Sequence, residues 1–351
     1  MLATVECMCA RFFVDICVLF LILGGMAAAE TSNGDISKPD DPQEEADALL
    51  ERARQTSDIR KPGAPSFRLK ATFTLVDAEL RTLDGTYTEQ WASEARWRRE
   101  IVVGDHRQIE IASDGKLWVL DDPALPEKAT NLPSILKVVP PKSAKFEFEE
   151  VHNSSVDSGV KCAATKPVGP HKAKSDFCFG SKTGVLLESA TPEEVRDHLV
   201  YFVCDYGQFR KFGDMWFPYQ MVCAPHGHRQ LEVHIVELAN ESFNDLALFV
   251  APAGALELGY CPAGATAPKV DFAFYPVRSE WQLYRVSYVT TKLVVDVKGK
   301  PQNIRVVQSA GKPLDDEAVG IVQRWRFKPA TCNGEPVAAQ VEVEVSIPTL
   351  R

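Results

Sequence analysis

The chain has 351 residues, more than one hydrophobic core usually holds, so two modules are the expectation. Its 45% hydrophobic and 25% charged residues are those of a globular protein, with no block biased enough to suggest extended disorder. A net charge of −9, without any basic stripe interleaved with aromatics, argues against nucleic acid as a partner.

In chain order, residues 1–29 read as an export signal. Ile16-Cys17-Val18-Leu19-Phe20-Leu21-Ile22-Leu23 is an apolar run, and Gly24 to Ala29 supplies small residues before Glu30. The basic flank is thin: Arg11 stands alone against Glu6 and Asp15. An uncleaved inner-membrane anchor is therefore the alternative, although the run is shorter than the roughly 20 residues a span prefers. The expected location is periplasmic or secreted. Residues 30–43 form a polar, acidic, flexible lead-in, and Pro42 opens a short helix with Ala46, Leu49, Leu50 and Ala53 on one face.

From Ser66 the pattern changes to alternating strands. Arg68–Phe73, Gly85–Trp91, Arg96–Val102, Gln108–Ile111 and Lys116–Leu120 follow one another. Turns such as Leu83-Asp84-Gly85, Val103-Gly104-Asp105 and Ser113-Asp114-Gly115 separate them. Short spacing of this kind predicts an antiparallel meander. A short helix is expected within Leu125–Val139. Strands resume at Lys145–Val151, Gly159–Ala163, Asp176–Phe179 and Gly184–Ser189, then form a hairpin about Phe212-Gly213-Asp214-Met215. The order of first helix, long meander, inserted helix and more strands resembles the lipoprotein-carrier fold of LolA and its relatives. Gly85–Trp91, Arg96–Ile101 and Ser113-Asp114-Gly115-Lys116-Leu117-Trp118 are its particular echoes. The resemblance spans residues 44–250 and implies an open, curved sheet around a hydrophobic cavity lidded by helices.

Six of the nine cysteines lie beyond the signal segment: Cys162, Cys178, Cys204, Cys223, Cys261 and Cys332. An even number in an exported chain suggests disulfides. Cys204 and Cys223 are equally far from the turn at Gly213-Asp214, so they face each other across the hairpin. Cys162 and Cys178 join the strands flanking Pro167–Lys174. By elimination Cys261 pairs with Cys332, which ties the Pro- and Gly-rich linker 251–287 to the C-terminal module.

Residues 288–351 are that second module. A strand from Lys292, a turn at Lys298-Gly299-Lys300-Pro301 and a strand over Asn303–Gln308 read as a hairpin. Pro313 opens a helix with Asp315 and Asp316 in its first turn, running through Ile321 and Val322 to Trp325-Arg326-Phe327 and stopped by Pro329. Asn333-Gly334 turns the chain, and Val341, Val343, Val345 and Ile347 line one face of a last strand. The unit resembles the C-terminal domain of TonB, the bacterial energy transducer of the outer membrane. The resemblance rests on Ser309-x-Gly311-x-Pro313-Leu314-Asp315, on Trp325-Arg326-Phe327-x-Pro329 and on Asn333-Gly334-x-Pro336-Val337. It implies a ββαβ domain that recognises an outer-membrane transporter, or another envelope protein, by adding a strand of the partner to its own sheet. The pattern departs from the transducer in lacking a convincing membrane helix and a long Pro-rich spacer.

The fold class expected is thus α+β, a curved antiparallel sheet followed by a small ββαβ domain. Partner binding is expected on the last strand, at Gln340, Glu342, Val343 and Glu344. There, unpaired backbone groups at a sheet edge would accept an extended peptide. The competing role for Glu342 and Glu344 is to guard that edge against unwanted pairing. Trp91, Trp97, Trp118, Phe146 and Phe148 could line a cavity for a hydrophobic ligand, lipid or lipoprotein, or fill an ordinary core. Cys223-Ala224-Pro225-His226-Gly227-His228 with His234 could hold a metal only if Cys223 were reduced, so a disulfide is the simpler reading. Ser158-Gly159-Val160-Lys161 and Lys182-Thr183-Gly184 echo penicillin-recognising enzymes, but their spacing lacks the helix and the long separation which that chemistry needs. No other catalytic motif and no cofactor motif stands out, and an enzyme is not expected.

Overall fold

The computed structural model describes residues 41–350 except 78–79, 123, 169–170, 196–197, 226–229, 263 and 276–283. The signal-like segment, with Cys7, Cys9 and Cys17, lies outside the described residues, as do His226 and His228.

Helix α1 (Pro42–Ser57) begins where Asp41 accepts the Gln43 N–H at 3.1 Å and Pro42 takes the first turn, where its missing donor costs nothing. Ala46, Leu50, Ala53 and Ser57 recur at helical spacing and are its buried stripe. The meander follows as β1 (Phe67–Val76), β2 (Thr82–Ser93), β3 (Arg96–Val103), β4 (His106–Ser113) and β5 (Lys116–Leu120). Two short helices, α2 (Glu127–Thr130) and α3 (Leu132–Ile135), replace the single helix expected there. Pro133, without an N–H, cannot extend the ladder of α2, and it occupies the first turn of α3 instead.

Strands β6 (Phe148–Asn153), β7 (Val160–Thr165), β8 (Asp176–Gly180), β9 (Leu186–Val195) and β10 (His198–Gly207) continue the sheet. The hairpin tip is β11 (Arg210–Phe212) and β12 (Met215–Phe217), pairing Phe212 with Met215 across Gly213 at φ +59°. Strands β13 (Gln220–Pro225) and β14 (Leu231–Asn240) return. Strand β14 was not anticipated. It pairs with both β1 and β13 and so joins the two halves of the meander at the middle of the sheet. Its alternation in Leu231-Glu232-Val233-His234-Ile235 is clear, but β1 lies too far away in sequence for periodicity to name it as the partner.

The segment expected as a linker holds two strands. β15 (Leu256–Gly259) pairs with β5 and ends the large sheet, whereas β16 (Lys269–Phe272) pairs with a strand of the second module. Thirteen strands then form one antiparallel sheet in the order β15-β5-β4-β3-β2-β1-β14-β13-β10-β9-β8-β7-β6. Its inner face packs Phe67, Leu69, Phe73, Tyr87, Trp91 and Ile101 into one core with α1, α2 and α3. Trp118 lies on the opposite face, among Ile109, Ile111 and Phe249, so it is not one of the inner aromatics.

The second module comprises β17 (Tyr284–Val295), β18 (Pro301–Gln308), α4 (Lys312–Val322), β19 (Arg326–Lys328), β20 (Ala330–Cys332), β21 (Glu335–Val337) and β22 (Ala339–Leu350). Helix α4 stops at Val322, short of the expected end. Trp325-Arg326-Phe327 leaves the helix because Phe327 donates its N–H to Gly299 O at 2.9 Å and Val270 pairs with it. Gly299 has φ +74°, and a Cβ there would stand 1.9 Å from Phe327 O, so both conformation and contact require glycine. Three disulfides, Cys162–Cys178, Cys204–Cys223 and Cys261–Cys332, are the pairs read from the sequence. Cys204 and Cys223 are direct cross-strand partners of β10 and β13.

Candidate functional site

The family-motif residues of the second module build its frame. Ser309 Oγ donates to Asp315 Oδ2 at 2.6 Å, Gly311 N donates to Ser309 Oγ at 3.0 Å, and Ala310 N donates to Asp315 Oδ1 at 3.0 Å. This closes the N-terminus of α4, where Gly311 takes φ +106° and Pro313 begins the first turn. Leu314 packs against the core that Trp325 and Phe327 help to fill. Trp325 Nε1 donates to Phe274 O at 3.0 Å. Pro329 separates β19 from β20, and Asn333-Gly334, both at positive φ, turn β20 into β21. These residues hold the domain together.

The residues expected to bind a partner, Gln340, Glu342, Val343 and Glu344, lie on β22. Its residues pair with β17 from Tyr284 opposite Leu350 to Val295 opposite Ala339, and the sheet order is β18-β17-β22. Among the described residues, no strand pairs with the outer side of β22, so an edge of backbone donors and acceptors remains open. At its start Gly259 N donates to Ala338 O at 3.0 Å, and a Cβ on Gly259 would come within 2.5 Å of Val337. The beginning is therefore occupied by the end of the large sheet, and the open edge runs onward from Gln340.

The two faces of β22 differ as its alternation requires. Val345 and Ile347 are fully buried against the core of Val289, Leu293, Ala318, Ile321 and Val322, with Val341 and Val343 packed at its margin. On the other face Glu342 and Glu344 are exposed, and Gln340 and Ser346 are half-buried. Opposite them on β17 stand Lys292 for Glu342, Thr290 for Glu344 and Tyr288 for Ser346. Lys292 Nζ lies 3.8 Å from Glu342 but 3.1 Å from Asp121 Oδ2, so the cation is drawn towards the large sheet. No described residue supplies Glu344 with an ion-pair partner. The edge is acidic and only weakly neutralised.

The inner face of the large sheet is the other candidate. Trp91, Trp97 and Phe148 are buried there, and Phe146 packs at its margin. Beneath α2 and α3 lies a buried ionic cluster. Glu89 accepts from Arg60 Nε at 3.0 Å, Arg99 Nε at 3.1 Å and Tyr87 OH at 3.0 Å, while Arg60 Nη1 donates to Leu136 O at 2.8 Å. Burial would raise the Glu89 carboxyl, but the two guanidiniums outweigh it and hold it at about 2. Arg99 also stacks on Trp97, 4.1 Å from the ring centre. Side chains thus fill the face that would have bounded a cavity. A cleft of about 690 Å³ opens at the rim, among Asp77, Arg81, Asp84, Asp105, His106 and Lys128.

The remaining sequence candidates separate. Cys223 is committed to its disulfide, and His234 Nε2 lies 3.1 Å from Glu232. Lys161 pairs with Glu45 of α1, and Lys182 serves through its carbonyl, which accepts Arg52 Nη2 at 2.8 Å.

A large, curved antiparallel sheet with a few short helices, followed by a three-stranded sheet with α4, defines a mostly-sheet class of protein. Residues 278–346 match the family described as Gram-negative bacterial TonB protein C-terminal, on the segment whose motifs carry that resemblance. Among solved structures, a LolA-superfamily protein from Nitrosomonas europaea aligns at 11% identity. It covers 58% of this chain and 97% of its own, with a TM-score of 0.38. An outer-membrane lipoprotein-sorting protein domain from Vibrio parahaemolyticus aligns at 12% identity over 58% and 97%, with a TM-score of 0.37. No curated protein matches the chain.

Proposed function

We propose that this chain is an exported envelope protein that binds a protein partner through its C-terminal domain, by accepting an extended segment of the partner along β22. The role is binding, with no chemistry performed on the partner. The observation that carries this reading is that, among the described residues, β22 has one strand neighbour, β17, and an outer edge open beyond Gln340. The family match of residues 278–346 supports it, as does the compatibility of three disulfides with an oxidising compartment. An outer-membrane transporter is the partner that the resemblance suggests. A carrier of hydrophobic ligand would use the inner face of the large sheet, but α2 and α3 would first have to leave it, so the geometry favours it less.

The test uses proline. In an antiparallel pair, neighbouring residues direct their N–H groups alternately to the partner strand and away from it. Of Val343→Pro and Glu344→Pro, therefore, one removes an N–H facing β17 and the other an N–H facing outward. Native mass spectrometry of the chain isolated from its envelope should show a bound polypeptide. The proline variant that keeps the wild-type melting temperature should lose it. Equal retention by that folded variant sinks the edge reading, and a lipid adduct in place of a polypeptide favours the carrier.

A further inference from the structure

The charge on the edge narrows what it can accept. An added strand places every second side chain beside the outward residues of β22 and the intervening ones beside its inward residues. On the outward face lie Gln340, Glu342, Glu344 and Ser346. The two carboxylates are exposed, and Lys292, the cation opposite Glu342, is held more closely by Asp121 than by Glu342. On the inward face Val341 and Val343 are half-buried at the margin of an aliphatic core.

Resting on the edge-binding reading above, we propose that β22 selects a cationic amphipathic strand. Two Lys or Arg residues, two positions apart, meet Glu342 and Glu344, and aliphatic residues between them extend the core at Val341 and Val343. The charge pattern also argues against two other occupants. A second copy, paired antiparallel about Val343, would set Glu342 of each chain opposite Glu344 of the other, and like charges directly opposite destabilise a sheet. The chain's own lead-in, with Glu30, Asp35, Asp40 and Asp41 against Lys38, carries the wrong sign.

The probes are fluorescent nine-residue peptides with aliphatic residues at alternate positions and either Lys, Thr or Glu at two intervening ones. A fourth peptide has its two Lys adjacent. Binding to the full disulfide-bonded chain is followed by anisotropy, with hydrogen exchange reporting protection of the amides from residue 340 to 347. The alternating Lys peptide should bind most tightly and protect those amides. Glu342→Gln and Glu344→Gln should each weaken it about 2- to 5-fold, as expected for exposed ion pairs, and added salt should do the same. Equal binding of the Lys and Thr peptides, unaffected by either Gln variant, leaves strand addition standing and overturns the cationic preference. So does tightest binding of the Glu peptide, or equal binding of the adjacent-Lys peptide, which would mean attraction to the acidic surface at large. Dimerisation that protects the same amides without peptide also overturns it. If no peptide binds, the edge reading itself fails, and the preference with it.

Discussion

Lys292 and Arg305 are cross-strand partners on β17 and β18, and both cations turn to one carboxylate of the other module, Asp121. Two like charges directly opposite would weaken the hairpin, so the Asp121 side chain, 4% exposed beyond the end of β5, supplies the compensating anion. Close by, Val294 joins Val119 and Leu258 in a small shared cluster. The hairpin of the second module is thus completed electrostatically by the first.

Asp121→Asn should therefore destabilise the chain by about 2 kcal/mol, because it strands two largely buried cations beside each other. Lys292→Met in the same background should recover part of the loss, since only one cation then remains. Differential scanning calorimetry of the single and double variants measures both. Strictly additive effects would show that the pair is not coupled through Asp121.

Glu89 predicts acid behaviour. Its carboxyl is held at about 2, below the usual 4.5, because Arg60 and Arg99 outweigh the burial that would raise it. A depressed folded value means that the unfolded chain takes up the proton more readily. The stabilisation is therefore complete above about pH 4.5 and is lost as the pH falls towards 2. Melting temperature should drop steeply through that window in the wild type and less steeply in Glu89→Gln. The variant, leaving Arg60 without its anion and Arg99 with only the longer contact to Glu110 at 4.0 Å, should lose about 3 kcal/mol at neutral pH. Should it fail to fold, Arg60→Met with Glu89→Leu and Arg99→Met restores a neutral core for comparison. An unchanged acid slope in the variants would assign the transition to another carboxylate.

Local periodicity told the meander, the hairpin at Gly213-Asp214 and the edge-strand alternation of Val341–Ile347, because each depends on residues close in sequence. Three things escaped it for physical reasons. β14 joins β1 across most of the first module, and a non-local pairing leaves no trace in a short window. The end of α4 at Val322 is set by Phe327 reaching Gly299, a contact from outside the helix. Trp118 alternates like its neighbours, and only the cover provided by Phe243 and Phe249 decides which face is inner. The ionic cluster was missed as well. Tyr87 and Glu89 lie on the inward side of a strand, and a charged residue in that position is itself a signal of a buried partner.

The Cys261–Cys332 disulfide closes a separation of 71 residues between the β15 segment and β20. A loop of that size is worth about 4 kcal/mol on the chain-entropy model. Replacing both cysteines with serine should lower the melting of the second module, leaving the large sheet, with its own two disulfides, less affected. Calorimetry should then resolve two transitions where the wild type shows one. A single transition shifted as a whole would mean that Asp121 and the β15 pairing suffice to keep the modules cooperative.

Asp315 separates the frame from the recognition surface. It receives Ser309 Oγ and Ala310 N at the start of α4, on a different element from the open edge of β22. Asp315→Ala should cost about 1 kcal/mol, the usual net contribution of the hydrogen bonds from Ser309 Oγ and Ala310 N that it would lose. Peptide affinity for β22, corrected for the folded fraction, should be unchanged. Glu344→Gln should do the reverse, leaving stability within about 0.5 kcal/mol while weakening the basic peptide, as befits an exposed surface residue. Urea unfolding and anisotropy on the two variants measure both quantities. A fall in peptide affinity for folded Asp315→Ala would mean that the motif touches the partner, and that the division between frame and edge is wrong.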